Sequence, residues 1–243
     1  MGPEAPLLAG IAFAGALIFG ITGFGSALVT IPLATHLVPL PFALALFAIV
    51  DLACALTVGL ENPKNAVRSE WLRLAPTILA GTALGVTLLV SLPRTAGLAL
   101  LGVFVVSYAI YALVRHAPAN VIAPGWGWLA GLCGGITSTL FGAGGPPYAI
   151  YLSHRGLTKE QFRATMGFTT MTSISLRVVA FLVTGLLLDS RIWLTELALV
   201  PAALAGIFLA RKLFLRISRE LLLRLVALLL LASGGSLLWR ALA

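Results

Sequence analysis

The sequence predicts an all-α polytopic membrane protein built from two inverted repeats, each a broken or re-entrant helical hairpin followed by three transmembrane helices. Three observations predict it. Of the 243 residues, 60% are hydrophobic and only 10% are charged, whereas a soluble domain carries roughly a quarter charged residues. Mean hydropathy is +1.05, so there is more apolar surface than one soluble core of this length can hide. Lipid is then the remaining solvent, and lipid-facing backbone must be helical or a closed barrel. The second observation is that the apolar runs are long, rich in Leu and Ala, and free of period-two alternation, which excludes the barrel. The third is that the chain repeats its own Gly, Pro and Arg punctuation in order.

Taken from the N-terminus, the first half opens with two short apolar pieces, 7–20 and 26–38, separated by Ile21, Thr22, Gly23, Phe24 and Gly25. Pieces this short are re-entrant or broken segments more often than full spans. The stretches 41–60, 72–92 and 95–114 follow, each of the about 20 residues that a bilayer crossing needs. In the second half, 126–141 and 147–153 are separated by Gly142, Ala143, Gly144, Gly145 and Pro146, and the spans are 161–188, 193–210 and 220–239. The N-terminal stretch lacks a basic leader and carries Glu4, so it reads as mature structure rather than a cleaved signal.

The duplication is carried by matched landmarks. Residues 74–81, with Pro76 and Gly81, recur as residues 199–206, with Pro201 and Gly206. At the same offset Arg94 matches Arg219 and Arg115 matches Arg240. Earlier, Gly23 and Gly25 match Gly142 and Gly144, and Leu33 matches Leu152, with an offset that differs as one insertion would make it. The expected division is 1–118 and 119–243, two repeats of one membrane domain.

Positive charge chooses between topologies. With each broken segment crossing once, the loops split Lys and Arg nine to six. With each segment entering and returning, Lys64, Arg68, Arg73, Arg115, Arg155, Lys159, Arg163 and the basic residues from Arg211 to Arg224 share one side, and only Arg94, Arg191 and Arg240 face the other. Twelve to three obeys the positive-inside rule far better. The hairpin arrangement inverts the halves, a plan common among transporters, and places both termini outside the cytoplasm. The net charge of +8 is therefore topological. It lies in short clusters with no basic face, which argues against nucleic acid.

The chemistry is expected at the interruptions. Gly142, Gly144 and Gly145 permit close backbone approach, and Pro146 presets the first turn of a new helix. A half-helix starting there aims its positive dipole end and free amides into the membrane, which is an anion site. Gly23, Gly25 and Ser26 build the counterpart, Ser26 serving as N-cap or ligand, while Thr22, Thr137, Ser138 and Thr139 offer hydroxyls. The competing reading is that these glycines only allow tight helix packing. Two charges, Asp51 and Arg177, lie deep in spans, where ionisable groups face a cavity or a partner. Arg177 is expected to help bind the anion, with Asp51 pairing with it or carrying a coupling proton; the alternative is a purely structural ion pair. His36 and His154 each end a short segment, placed either for gating near neutral pH or for stabilising a helix C-terminus. The basic amphipathic run from Arg211 to Arg219 reads as a cytoplasmic anchor. Cys54 and Cys133 have no metal-binding spacing and read as buried small hydrophobes.

These residues carry a resemblance. The stretch from Gly23 to Pro32, the stretch from Leu140 to Pro147, and Gln161-Phe162-Arg163-Ala164-Thr165 together resemble the sulfite exporter TauE/SafE family, within the 4-toluene sulfonate uptake permease superfamily. The resemblance covers nearly the whole chain. It implies a bacterial inner-membrane permease for sulfite, organosulfonates or related sulfur-containing and carboxylate anions, with Gly142, Gly144, Gly145, Pro146 and Arg163 as the positions carried over. Ser26 stands where relatives often have glycine. The expected activity is secondary transport, proton-coupled and by alternating access, with the anion held at half-helix N-termini and Arg163 serving entry, gating or interfacial anchoring. No cofactor is expected. The expected partners are a small anion and the bilayer, and a homodimer is compatible with the sequence. A membrane-embedded enzyme or an assembly scaffold is the rival, and the enzyme lacks a visible nucleophile–base pair.

Overall fold

The structure, a computed structural model, describes residues 4–114, 121–213, 228 and 230–239. Described in chain order are α1 (Ala5–Thr22), α2 (Ser26–Ala34), α3 (Leu40–Gly59), α4 (Arg68–Ser91), α5 (Arg94–Val114), α6 (Trp126–Phe141), α7 (Gly145–Ser153), α8 (Lys159–Val183) and α9 (Ser190–Leu213), then α10 (Leu230–Trp239). Five of these helices are long and apolar enough to cross a membrane. Arg115, Arg216, Arg219, Arg224 and Arg240 fall outside the described residues.

Local chemistry sets the boundaries. Gly23 ends α1 at φ 80° with its N–H donated to the Phe19 carbonyl, a left-handed cap that glycine adopts without strain. Thr158 opens α8 through a capping box, its hydroxyl accepting from the Gln161 amide while the Gln161 side chain accepts from the Thr158 amide. Two expected lengths change. The first piece is an 18-residue helix rather than a short fragment, because its apolar run continues to Thr22. The 161–188 stretch stops being helical at Val183, where Gly185 takes φ 80° and turns the chain.

Both interrupted segments fold back as hairpins. A Cβ on Gly15 of α1 would lie 2.2 Å from Thr30 Cγ2 of α2, and one on Gly134 of α6 would lie 2.0 Å from the Tyr148 ring of α7. Contacts so near each turn and so far along each helix require antiparallel neighbours. The interruption is thus a reversal of direction, not a kink in a continuous span.

The halves then exchange partners. Helix α4 packs on α6 and α1 packs on α9, while α3 meets α8 between them. Gly81 and Gly206, matched in the repeat, make equivalent contacts: a Cβ on Gly81 would be 2.3 Å from the Leu132 carbonyl, and one on Gly206 would be 2.5 Å from the Phe13 carbonyl. Phe13 and Leu132 are 119 residues apart (132 − 13), as are Gly23 and Gly142 (142 − 23). Small residues let the backbones approach so closely, which is the main source of helix affinity where lipid is as apolar as Leu.

The hairpins open toward opposite ends of the bundle. At one end Arg163 pairs with Glu61 at 3.2 Å, Arg155 pairs with Glu70 at 3.0 Å, and the Ile122 amide donates to the His154 carbonyl. The α6–α7 hairpin opens here. At the other end Glu4, Val38, Pro39 and Arg191 share the wall of one cavity, and the Arg191 guanidinium lies 5.8 Å from the Phe42 ring centroid. The α1–α2 hairpin opens there, and the two tips meet in the middle.

Candidate functional site

The tips enclose a small cavity of about 20 Å³ bounded by Phe24, Gly25, Ser26, Asp51, Ser138, Gly142, Gly144, Gly145, Thr170 and Ser173. That volume admits roughly one water. Its walls come from α2 and α3 of the first half and from α6, α7 and α8 of the second, so neither half forms it alone.

Each tip is built by glycine. Gly25 caps α2 at φ 91°, and Gly142 caps α6 at φ 72°. A Cβ on Gly142 would lie 2.8 Å from Ala27 Cβ and 3.0 Å from Arg177 Nη1, so this position needs glycine for both its backbone and its surroundings. Helix α7 then starts with Pro in its first turn. Because Pro146 and Pro147 have no N–H, they remove two donors from this tip, and the free amides there belong to the glycines before them. The α2 tip, with Ser26, Ala27 and Leu28, keeps its amides.

Asp51 and Arg177 meet at this junction. Arg177 Nη2 donates to Asp51 Oδ2 at 2.8 Å, and Nη1 donates to the Ser138 carbonyl at 3.1 Å. Ser26 Oγ donates to Asp51 Oδ1 at 2.6 Å. Both charged side chains are about 1% exposed, and Arg177 Nε has no hydrogen-bond partner among the described residues. A guanidinium and a hydroxyl thus hold one carboxylate beside a cavity that the starts of α2 and α7 also border. Behind them Tyr148 of α7 donates its hydroxyl to Ser173 Oγ of α8 at 2.9 Å.

The expected site residues thus divide. Gly25, Ser26, Asp51, Ser138, Gly142, Gly144 and Gly145 border the cavity, and Arg177 lies against it through Asp51 and Gly142. Gly23 and Pro146 shape the tips without bordering it. Ser26 is the first residue of α2 rather than its cap, since Gly25 holds that place, and its hydroxyl is committed to Asp51. Thr137 donates to its own helix at Cys133; Thr22 and Thr139 do likewise, at Ile18 and Gly135. Helical back-bonding satisfies a hydroxyl more readily than a distant guest. His36 is exposed in the turn after α2. His154 caps α7, its Nδ1 2.8 Å from the Ile150 carbonyl. Arg163 lines a separate cavity of about 350 Å³ with Glu61, Asn65, Lys159 and Glu160. Cys54 is buried, but Cys133 is exposed on the outer face of α6, where lipid rather than a core takes up its apolar side.

Two acidic positions escape sequence reasoning. Glu70 accepts from Arg73 at 2.8 Å, from Arg155 Nε at 3.1 Å and from the Tyr151 hydroxyl, clamping α4 to the loop after α7. These bonds push the Arg155 guanidinium above its ordinary value. Among Arg68, Arg73 and Trp71, Glu70 reads as a solvated helix start, so no signal marks it. Glu196 is buried in α9 with neither carboxylate oxygen hydrogen-bonded among the described residues. Its signal is visible, because it is a lone acid in the apolar run after Arg191.

The sequence profile described as sulfite exporter TauE/SafE matches residues 7–237. The chain is also similar to the probable inner membrane transporter protein TsaS of Comamonas testosteroni, 27% identical over 172 residues that cover 69% of this chain and 72% of that protein. No solved structure matches it.

Proposed function

The chain belongs to the sulfite exporter TauE/SafE family, and from that premise we propose that this multi-pass inner-membrane transporter moves a small sulfur-containing anion, such as sulfite or an organosulfonate, by alternating access at the junction of the two hairpin tips. The observation that carries the reading is Asp51. Its carboxylate sits where a substrate oxyanion belongs, held by Ser26 Oγ at 2.6 Å and by Arg177 at 2.8 Å beside the start of α2. A site that holds a buried carboxylate with a hydroxyl, a guanidinium and a helix N-terminus has the donors for a sulfonate or sulfite.

The mechanism follows from competition for Arg177. With Asp51 paired, the cavity of about 20 Å³ is too small for a three-oxygen anion, so this conformation is closed around the site. Opening one hairpin against the other enlarges the cavity, and the anion replaces Asp51 on Arg177. The unpartnered Nε and the amides at Gly25–Ser26 and Gly144–Gly145 supply further donors. Released Asp51 then needs a counter-charge, which makes coupling to a cation or proton a consequence of the same exchange. The halves act as inverted repeats, so rocking one bundle against the other exposes the site to each side in turn. The reciprocal contacts of Gly81 and Gly206 support that symmetry.

The test is flux with purified protein in proteoliposomes, using sulfite, 4-toluenesulfonate and a simple carboxylate. Uptake or release of at least one sulfur anion above protein-free vesicles is expected. A parallel unfolding screen should show a true ligand at 100 times its Kd adding about 2.7 kcal/mol to the native state. Absence of both flux and stabilisation with every sulfur anion rejects the reading.

A further inference from the structure

Glu196 is the buried ionisable group that the exchange above leaves unused. It is the seventh residue of α9, which begins at Ser190, and so lies about 9 Å along the axis from the helix start. It is 6% exposed, and among the described residues neither Oε1 nor Oε2 has a hydrogen-bond partner. Ionising a buried carboxylate without hydrogen bonds is costly, and such groups take up a proton instead.

The surroundings give the proton a route and a destination. Of the described helices packed on α9, α1 offers no titratable group between Ala5 and Thr22, and α3 carries Asp51 and Cys54. Asp51 is in turn paired with Arg177 of α8. On α9 itself, Arg191 is engaged by Asp189 at 2.7 Å. A cavity of about 480 Å³ at the Arg191 end reaches Leu194 and Thr195, the two residues before Glu196. The repeat sharpens the contrast. At the offset relating Leu74 to Leu199 (199 − 74 = 125), Glu196 corresponds to Trp71, whose indole donates to Thr172 Oγ1 of α8 at 2.9 Å. The corresponding position in the second half holds an acid with neither oxygen hydrogen-bonded among the described residues.

We propose that Glu196 is the proton-binding site of this transporter, neutral while Asp51 is paired with Arg177 and handing its proton to Asp51 when Arg177 turns to the anion. The inference rests on the anion-exchange reading. In the closed state the set Asp51, Arg177 and protonated Glu196 carries no net charge. When a monovalent anion takes Arg177, the O–H bond at Glu196 breaks and one forms on Asp51. Glu196 then regains a proton from hydronium in the water of the Arg191-end cavity. One proton thus accompanies each anion, and the buried set is neutral before the anion arrives and again once Glu196 is reprotonated.

The experiment uses the full chain in proteoliposomes with 4-toluenesulfonate, which stays a monoanion across the pH range. For the wild type, a gradient of one pH unit should drive about tenfold accumulation. Glu196→Gln should lose the pH-driven accumulation. An infrared difference spectrum, wild type minus Glu196→Gln, should show one protonated carboxylic acid at neutral pH; Glu196→Leu serves for the subtraction if the Gln variant does not fold. Accumulation by Glu196→Gln equal to wild type overturns the inference and leaves anion transport standing. Wild-type exchange that ignores the gradient, or a spectrum without the protonated carboxyl, overturns it as well. Loss of all wild-type flux with the carboxyl band present rejects the transport reading instead and keeps Glu196 as a proton-binding site.

Discussion

Arg177 of the second half holds Asp51 of the first at 2.8 Å, and this pair is the only ion pair among the described residues in which both side chains are almost wholly buried. Its carboxylate borders the cavity shared by the starts of α2 and α7, so its strength and its exchange with a guest share one geometry. Removing one partner of such a pair leaves the other charge uncompensated, at a cost of about 3–5 kcal/mol. Asp51→Ala and Arg177→Met should each lower unfolding stability by that order. The double variant should recover much of the loss without recovering flux. Stability and flux of all three, measured in the same preparation, check this. Equal stability of single and double variants refutes the coupling.

Gly142 should tolerate no side chain. Its φ of 72° costs an alanine about 1–2 kcal/mol, and its Cβ would press on Ala27 and Arg177 Nη1. Gly142→Ala is expected to lose flux and stability together. Gly125→Ala, where a Cβ meets nothing within 4 Å and φ is −60°, is the control and should retain both.

The Glu70 clamp should govern the loop after α7. Glu70→Gln keeps the volume but weakens the charged hydrogen bonds from Arg155 and Arg73, a loss of about 2 kcal/mol. Hydrogen exchange across residues 154–158 should accelerate selectively, with little change in α1 or α9. Uniform acceleration through the bundle refutes a local clamp.

Sidedness follows from the opposite openings of the hairpins. In a Cys133→Ala background, Asn65→Cys should react with a membrane-impermeant thiol reagent from the cytoplasmic side and Leu188→Cys from the opposite side. Both positions are exposed. Labelling of both from one side rejects the topology.

Asp189 supplies a pH control. Hydrogen bonds from Arg191 hold its carboxyl below the ordinary carboxylate range. The interaction is present above the unfolded value of about 3.9 and is lost as pH falls through the lower value in the fold. Any pH dependence of flux between about 5 and 8 therefore cannot come from Asp189. Asp189→Asn should leave that profile unchanged.

The sequence by itself determined the solvent and the punctuation. Apolar runs of span length required helices in lipid, and Gly23–Gly25 and Gly142–Gly145 required breaks, because those effects act within a few residues. It also pointed to Asp51 and Arg177 as a pair, since two opposite charges deep in apolar helices have few other solutions. Only the tertiary structure decided that Ser26 serves Asp51 rather than capping α2, that Thr137 turns back on its own helix, and that Glu70 grips Arg155. The first and last of these depend on which atoms meet across 25 and 85 residues of chain, and no local pattern encodes so distant a partner; the Thr137 bond is local, but whether that hydroxyl stays on its own helix depends on what the fold brings within its reach. Glu196 falls between the two cases. Its isolation was legible along the chain, whereas the absence of a hydrogen bond to either of its oxygens among the described residues is settled only by how α9 packs.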